Sequence, residues 1–124
     1  MTTVSNIATQ ILNENNYTTA DISLTNLEYL IQNAIDYVNM EAGTNIADLS
    51  ADVAGSKSIT GTKSEIFTVK TLTVLLIRVY KDRGPTPTLQ GLTVANIITD
   101  PQYSLFKELT DKMIARLCGM DFKK

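Results

Sequence analysis

The sequence contains no histidine, no tryptophan and only one cysteine, Cys118. Histidine is the commonest general base and, with cysteine, the usual zinc ligand. The chain therefore lacks the residues for a Ser-His or Cys-His catalytic pair, for a zinc site and for an internal disulfide. Its close carboxylate pairs, such as Asp36 with Glu41, lie among polar neighbours typical of a solvated surface. We expect no enzymatic activity, no cofactor and no metal site.

A surplus of positive charge is also missing. The chain has 11 Lys and Arg residues against 13 Asp and Glu residues, a net charge of −2. Proteins that grip the phosphate backbone of DNA need a basic surplus. The segment GSKSITG, at 55–61, lacks the Gly-Lys-Ser/Thr ending that places a lysine on phosphates. We expect neither a nucleotide site nor sequence-independent binding along DNA.

Long hydrophobic runs are absent. The most apolar region, residues 66–80, is interrupted by threonine, lysine and arginine. It falls short of the roughly 20 apolar residues that cross a bilayer. The N-terminal segment MTTVSNIATQ has neither the basic start nor the apolar stretch of a secretory signal. We expect no membrane association. We also expect the protein to be made in the cytoplasm.

What is present is the composition of a folded globular protein. The 124 residues are 44% hydrophobic and 19% charged, which suits one domain with a real core. We predict a single all-α domain, a small bundle of about four helices. Its parts are an N-terminal helix and linker (1–22), a core bundle (23–118) and a C-terminal tail (119–124).

Helical spacing and end signals locate the four helices. The first follows the i, i+3, i+4, i+7 pattern of an amphipathic helix, with apolar residues Val4, Ile7, Ala8, Ile11 and Leu12. The second has Thr25 and Glu28 at capping-box spacing, after Leu24 at the position of a hydrophobic staple, and stops at Gly43.

The third helix is the long apolar centre of the predicted bundle. Thr62 and Glu65 form a second capping box, and Gly84 followed by Pro85 ends the run. The last helix has Asp100 as cap, Pro101 at its first position and Gly119 at its end. Its apolar side consists of Tyr103, Phe106, Leu109, Met113, Ile114 and Leu117.

The second helix has more apolar surface than one core face requires. Beside its core stripe, Tyr29, Tyr37 and Met40 lie on or near the far side. Two interpretations remain open. Another helix of the same chain covers these residues, or they form an interface, since aromatic residues and methionine are enriched at interface centres.

The third helix carries a mixed stripe in which Lys70, Arg78 and Lys81 alternate with Phe67 and Val74. In one interpretation this stripe docks on an acidic partner surface. In the other, the long Lys and Arg stems cover the apolar side chains while their charges reach water.

Two further segments also have two interpretations each. The connection at 84–99 is long and contains Leu92, Val94, Ile97 and Ile98, so it is either an arm that reaches a neighbouring subunit or a segment packed across the chain's own bundle. In the tail, Phe122 either frays with its neighbours or fills a partner's pocket.

The order of these elements resembles the head–tail connector, or adaptor, proteins of tailed phages. The resemblance covers about residues 23–118. It rests on the end of the second helix, DYVNMEAGTNI at 36–46, and on LTVLLIRVYKDRG at 72–84, an apolar run that closes with an aromatic and charged residues. The connection at 84–99 and the asparagines of the N-terminal segment depart from that pattern.

The resemblance implies a structural role in the virion, at the junction of head and tail. An adaptor of this family forms a ring of identical subunits, a dodecamer, beneath the portal protein, and carries tail or stopper proteins below. DNA passes through its channel without sequence-specific contact. The alternative is a small helical regulatory or accessory protein, monomeric or dimeric, that binds a host or phage protein.

Overall fold

The computed structural model describes residues 2–4, 7–46, 59–84 and 88–118. This part of the chain is mostly helical, which confirms the predicted all-α class. The α-helices are α1 (Ile7–Glu14), α2 (Leu24–Ala42), α3 (Lys63–Asp82), α4 (Val94–Ile98) and α5 (Ser104–Leu117), and a 3₁₀ turn, Pro101–Tyr103, precedes α5. Two three-residue strands, β1 (Thr2–Val4) and β2 (Ile59–Gly61), pair antiparallel, with Thr2 opposite Gly61.

The start of the chain corrects one prediction. Val4 was expected in the first helix, but it lies in β1 opposite Ile59, and α1 begins at Ile7. Thr2, Thr3 and Val4 are β-branched residues, which favour a strand when a partner strand is available. That partner, β2, lies more than fifty residues further along the chain, so local spacing alone could not reveal it.

The N-terminal cap of helix α2 lies two residues earlier than predicted. The hydroxyl of Ser23, not that of Thr25, accepts a hydrogen bond from the backbone N–H of Asn26 at 3.2 Å. The helix ends at Ala42, and Gly43 is its C-terminal cap, as predicted. Gly43 has φ +70°, a left-handed conformation that glycine adopts without strain, and its N–H donates to the Asn39 carbonyl.

The capping box of α3 is confirmed. The Glu65 N–H donates to the Thr62 hydroxyl oxygen at 3.1 Å, and the Thr62 N–H donates to Oε1 of Glu65 at 3.0 Å. The helix ends at Asp82, shortly before Gly84. At the start of the last helix, Asp100 caps the 3₁₀ turn by accepting from the N–H of Gln102, and the predicted stop at Gly119 lies outside the described residues.

The connection before the last helix packs on the chain's own core. Its apolar residues Leu92, Val94 and Ile97 are buried, and residues 94–98 form α4. The side-chain oxygen of Asn33, on α2, accepts a hydrogen bond from the Val94 N–H at 3.0 Å. Residues 88–98 therefore do not form an extended arm to a neighbouring subunit. They include the short helix α4, and their buried apolar side chains pack in the core of the same chain.

The centre of the core lies between α2 and α3. Helix α1 packs on α2, and α5 packs on α2, α3 and α4. The largest side chains without solvent exposure come mainly from α2 and α3; they include Leu27, Leu30, Ile31, Ile35, Leu72, Leu76 and Ile77. Within the described residues, no helix is long and apolar enough to span a membrane.

Candidate protein-binding surface

An open groove runs between the outer sides of α3 and α5. Its largest part is a cleft of about 450 Å³, and smaller clefts of about 310 and 200 Å³ adjoin it because they share Leu109 and Phe67 with it. We call this surface the α3–α5 groove and define it by Phe67, Val74, Leu75, Arg78, Leu105 and Leu109.

The groove leaves large apolar side chains in water. Phe67 is 62% exposed, Leu105 77% and Leu109 39%. Single exposed apolar residues are ordinary, but adjoining ones that line one depression are typical of surfaces that bind proteins or ligands. The groove is therefore the best candidate for a functional site.

Local structure explains why Phe67 and Leu105 are exposed. Ile66 and Phe106 are buried in the core. Adjacent residues of a helix point about 100° apart, so Phe67 and Leu105 must turn away from the side that their neighbours bury. Each helix then contributes its outer apolar residues to the same depression.

Lys70, predicted beside this apolar strip, is tied to α1. Its ammonium nitrogen lies 2.8 Å from Oε1 of Glu14 and donates a hydrogen bond to Oε1 of Gln10 at 2.9 Å. This pair forms one wall of the groove, since Glu14 and Lys70 both line the main cleft.

Lys81 lies outside the groove, against the linker between α1 and α2. Its ammonium nitrogen is 2.6 Å from Oδ1 of Asp21 and 5.9 Å from the centre of the Tyr17 ring. The hydrogen bond from Lys81, together with one from the Thr18 N–H, holds the pKa of the Asp21 carboxyl below its ordinary value of 3.8. Lys81 therefore fastens the linker rather than facing the proposed partner side.

Arg78 is the basic residue of the stripe that stays uncommitted. It is exposed, it lines two of the three clefts, and its guanidinium makes no hydrogen bond or ion pair within the described part of the chain. A planar guanidinium at the edge of an apolar groove is suited to a carboxylate, which it can bind with two parallel hydrogen bonds.

Of the three residues predicted on or near the far side of α2, the structure buries one and exposes two. Tyr37 is only 9% exposed and belongs to the core cluster, where burial, together with the charges of Glu41 and Asp111, raises the pKa of its hydroxyl. Tyr29 is 49% exposed and Met40 69%. Cover by the chain's own elements thus accounts for Tyr37, while Tyr29 and Met40 stay on the surface. Phe122 lies outside the described residues.

Sequence reasoning missed the contribution of α5 to the groove. Leu109 was assigned to the apolar side of the last helix, and Leu105 was assigned no role. The usable signal is their separation of four residues, which places them on one line of the helix surface at the edge of the side that Phe106 and Met113 bury. Only the packing of α5 on α3 reveals that Leu109 lines the same cleft as Phe67.

The described residues contain no group of three or more cysteine, aspartate or glutamate side chains arranged to hold a metal ion. Comparison with protein-family models, with curated proteins and with solved structures finds no match to the chain. The arrangement of the site is therefore the basis for a functional proposal, together with the resemblance in element order.

Proposed function

We propose that this chain is a structural, non-enzymatic protein of a tailed-phage virion, a head–tail adaptor. It would dock on the portal protein as a ring of identical subunits and carry tail or stopper proteins below. The observation that carries the proposal is the α3–α5 groove, in which Phe67, Leu105 and Leu109 are left in water beside an uncommitted Arg78.

An adaptor must bind at least two kinds of neighbour with little surface. A chain of 124 residues that keeps several large side chains exposed in one groove loses part of the burial that would stabilise its fold. Burial of those side chains by a partner recovers it. This is the expected surface of a subunit that works within an assembly.

The order of helices supports the adaptor over other assemblies. We propose that α1, α2, α3 and α5 form the small bundle of the adaptor pattern, with α3 as its long apolar centre and the connection that holds α4 placed before the last helix. The segment from Leu72 to Gly84 then corresponds to the run, closing with an aromatic and charged residues, on which the resemblance rests.

The remaining parts of the proposal follow from the resemblance alone. They are a dodecameric ring, a location at the head–tail junction of the virion, and passage of DNA through the ring without sequence-specific contact. The net charge of −2 agrees with a channel that does not hold DNA tightly.

The experiment is a mass measurement in solution by light scattering coupled to gel filtration, on the chain alone and with a candidate portal protein. The adaptor predicts a ring, or a monomer that becomes a ring on the portal. A stable monomer or dimer that ignores the portal would contradict the adaptor. That result would favour the small helical regulator, whose groove would take a host or phage protein.

A further inference from the structure

We infer that copies of this chain associate head to tail, with the outer surface of α2 in one copy lying in the α3–α5 groove of the next. The inference deepens the proposed function and rests on it for the existence of a self-assembly. We infer which surfaces meet, and that the contact is head to tail, from the exposed residues of α2 and of the α3–α5 groove.

The first surface is a line of exposed residues along α2. Tyr29, Asp36 and Met40 are separated by seven and four residues, the spacing that keeps side chains on one side of a helix. Tyr29 and Met40 present apolar atoms on either side of the Asp36 carboxylate. We call these three residues the α2 strip.

The two surfaces match in length. Eleven residues separate Tyr29 from Met40, and eleven separate Phe67 from Arg78. At 1.5 Å per residue each surface is about 16 Å long. A helix laid along α3 can therefore place both of its apolar ends within the groove, which is the helix-in-groove mode of recognition.

The charges of the two surfaces are opposite. Helix α2 contains no lysine or arginine in its 19 residues, and its exposed charged residues are Asp36 and Glu41. Along the three clefts of the groove, Lys70 and Glu14 pair with each other and Arg116 already makes an interaction, so the charged residues that remain are Lys63 and Arg78 against Asp82. The uncommitted Arg78 thus has a carboxylate partner available on another copy, in Asp36 or Glu41.

Two different surfaces make the contact heterologous. When a surface on one copy binds a different surface on the next, the pair still has one free surface of each kind, and association continues until the chain of subunits closes into a ring or grows as a filament. A symmetric dimer in which each groove meets the other groove would instead stop at two copies.

A mixing experiment separates these cases. One variant blocks the groove, Phe67→Glu with Leu109→Glu, and a second removes the apolar atoms of the strip without adding charge, Tyr29→Gln with Met40→Gln. All four residues are exposed, so both variants should keep the helix content of the unchanged protein, checked by circular dichroism. A Gln90→Glu variant, altered at an exposed loop residue that belongs to neither surface, is the control.

Each blocked variant alone should stay monomeric at concentrations where the unchanged protein and the control associate, as measured by sedimentation equilibrium. Mixed in equal amounts, the two variants should form a 1:1 dimer and nothing larger, because one intact strip and one intact groove remain. Raising the salt concentration should weaken this dimer, since opposite charges face each other.

A mixture that stays monomeric, or a blocked variant that still associates alone, would overturn the head-to-tail contact. Portal binding of the unchanged protein is measured separately. Failure of the mixture with portal binding intact removes this inference and leaves the adaptor standing. A dimer in the mixture, with a protein that ignores the portal, removes the adaptor and leaves the contact between copies.

Discussion

Helix α3 packs against α2 on one side and α5 on the other, and the two contacts differ in kind. Between α2 and α3 the aliphatic side chains have no exposure at all, as at Leu30, Leu72 and Leu76. Between α3 and α5 the outer residues Phe67 and Leu109 remain in water. One helix thus holds the fold together through one side and leaves large apolar side chains of its other side exposed.

The largest expected effect on stability is on the side of α3 that packs against α2, which we call the closed side. Leu76→Ala removes a fully buried side chain and leaves a cavity that close-packed neighbours fill only partly. We expect the free energy of unfolding to fall by about 2–5 kcal/mol. Urea denaturation followed by circular dichroism measures it. A loss under about 1 kcal/mol would mean that the α2–α3 contact is not the centre of stability.

The next effect concerns the start of α3, which both contacts share. Thr62→Ala removes the hydroxyl that accepts from the Glu65 N–H, and with it half of the capping box. We expect a loss of about 1 kcal/mol. Thr62→Ser keeps the hydroxyl and serves as the matched control in the same denaturation series. Equal losses for both variants would show that the cap is not what Thr62 contributes.

A small effect on stability is expected where α3 packs against α5, which we call the open side. Leu105→Ser alters a side chain that is 77% exposed. The free energy of unfolding should change by less than about 0.5 kcal/mol, as for most surface substitutions. The same denaturation measurement as for Leu76→Ala checks it. A loss near that of Leu76→Ala would remove the distinction between the closed and the open side.

The smallest effect lies away from both contacts, at the linker fastened by Lys81. Because the folded pKa of Asp21 is lowered, the stabilisation from its ionised form is present above pH 3.8 and is lost as the pH falls through the folded pKa. Lys81→Met removes the main cause of the lowered value. The Asp21 pKa, followed by carboxyl NMR titration, should rise toward 3.8. An unchanged value would show that the Lys81 contact does not set it.

Local signals in the sequence located much of the helical framework. Thr62 with Glu65, and Gly43, mark helix ends through interactions between residues a few positions apart, so their spacing suffices to find them. Local spacing did not predict the strand at Val4 or the helix α4. Val4 follows a strand partner more than fifty residues away, and α4 forms where Leu92 and Val94 can enter a core built by other helices.

In the candidate site, too, local spacing predicted some features, while contacts between distant residues decided others. Helical spacing found the stripe of Phe67, Lys70 and Arg78, but it could not tell which basic side chains are already used. Glu14 and Asp21 engage Lys70 and Lys81 across about sixty residues of sequence, and of the three only Arg78 has no partner among the residues that the structure describes. Spacing likewise could not separate Tyr37, which the core covers, from Tyr29.

The central claim is that the α3–α5 groove binds protein while the α2–α3 contact holds the fold. The most direct test is the mass of the Phe67→Glu variant beside the unchanged protein, by light scattering coupled to gel filtration, with and without a portal protein. The account predicts that the variant melts at nearly the same temperature but forms no assembly. A variant that assembles like the unchanged protein would contradict it.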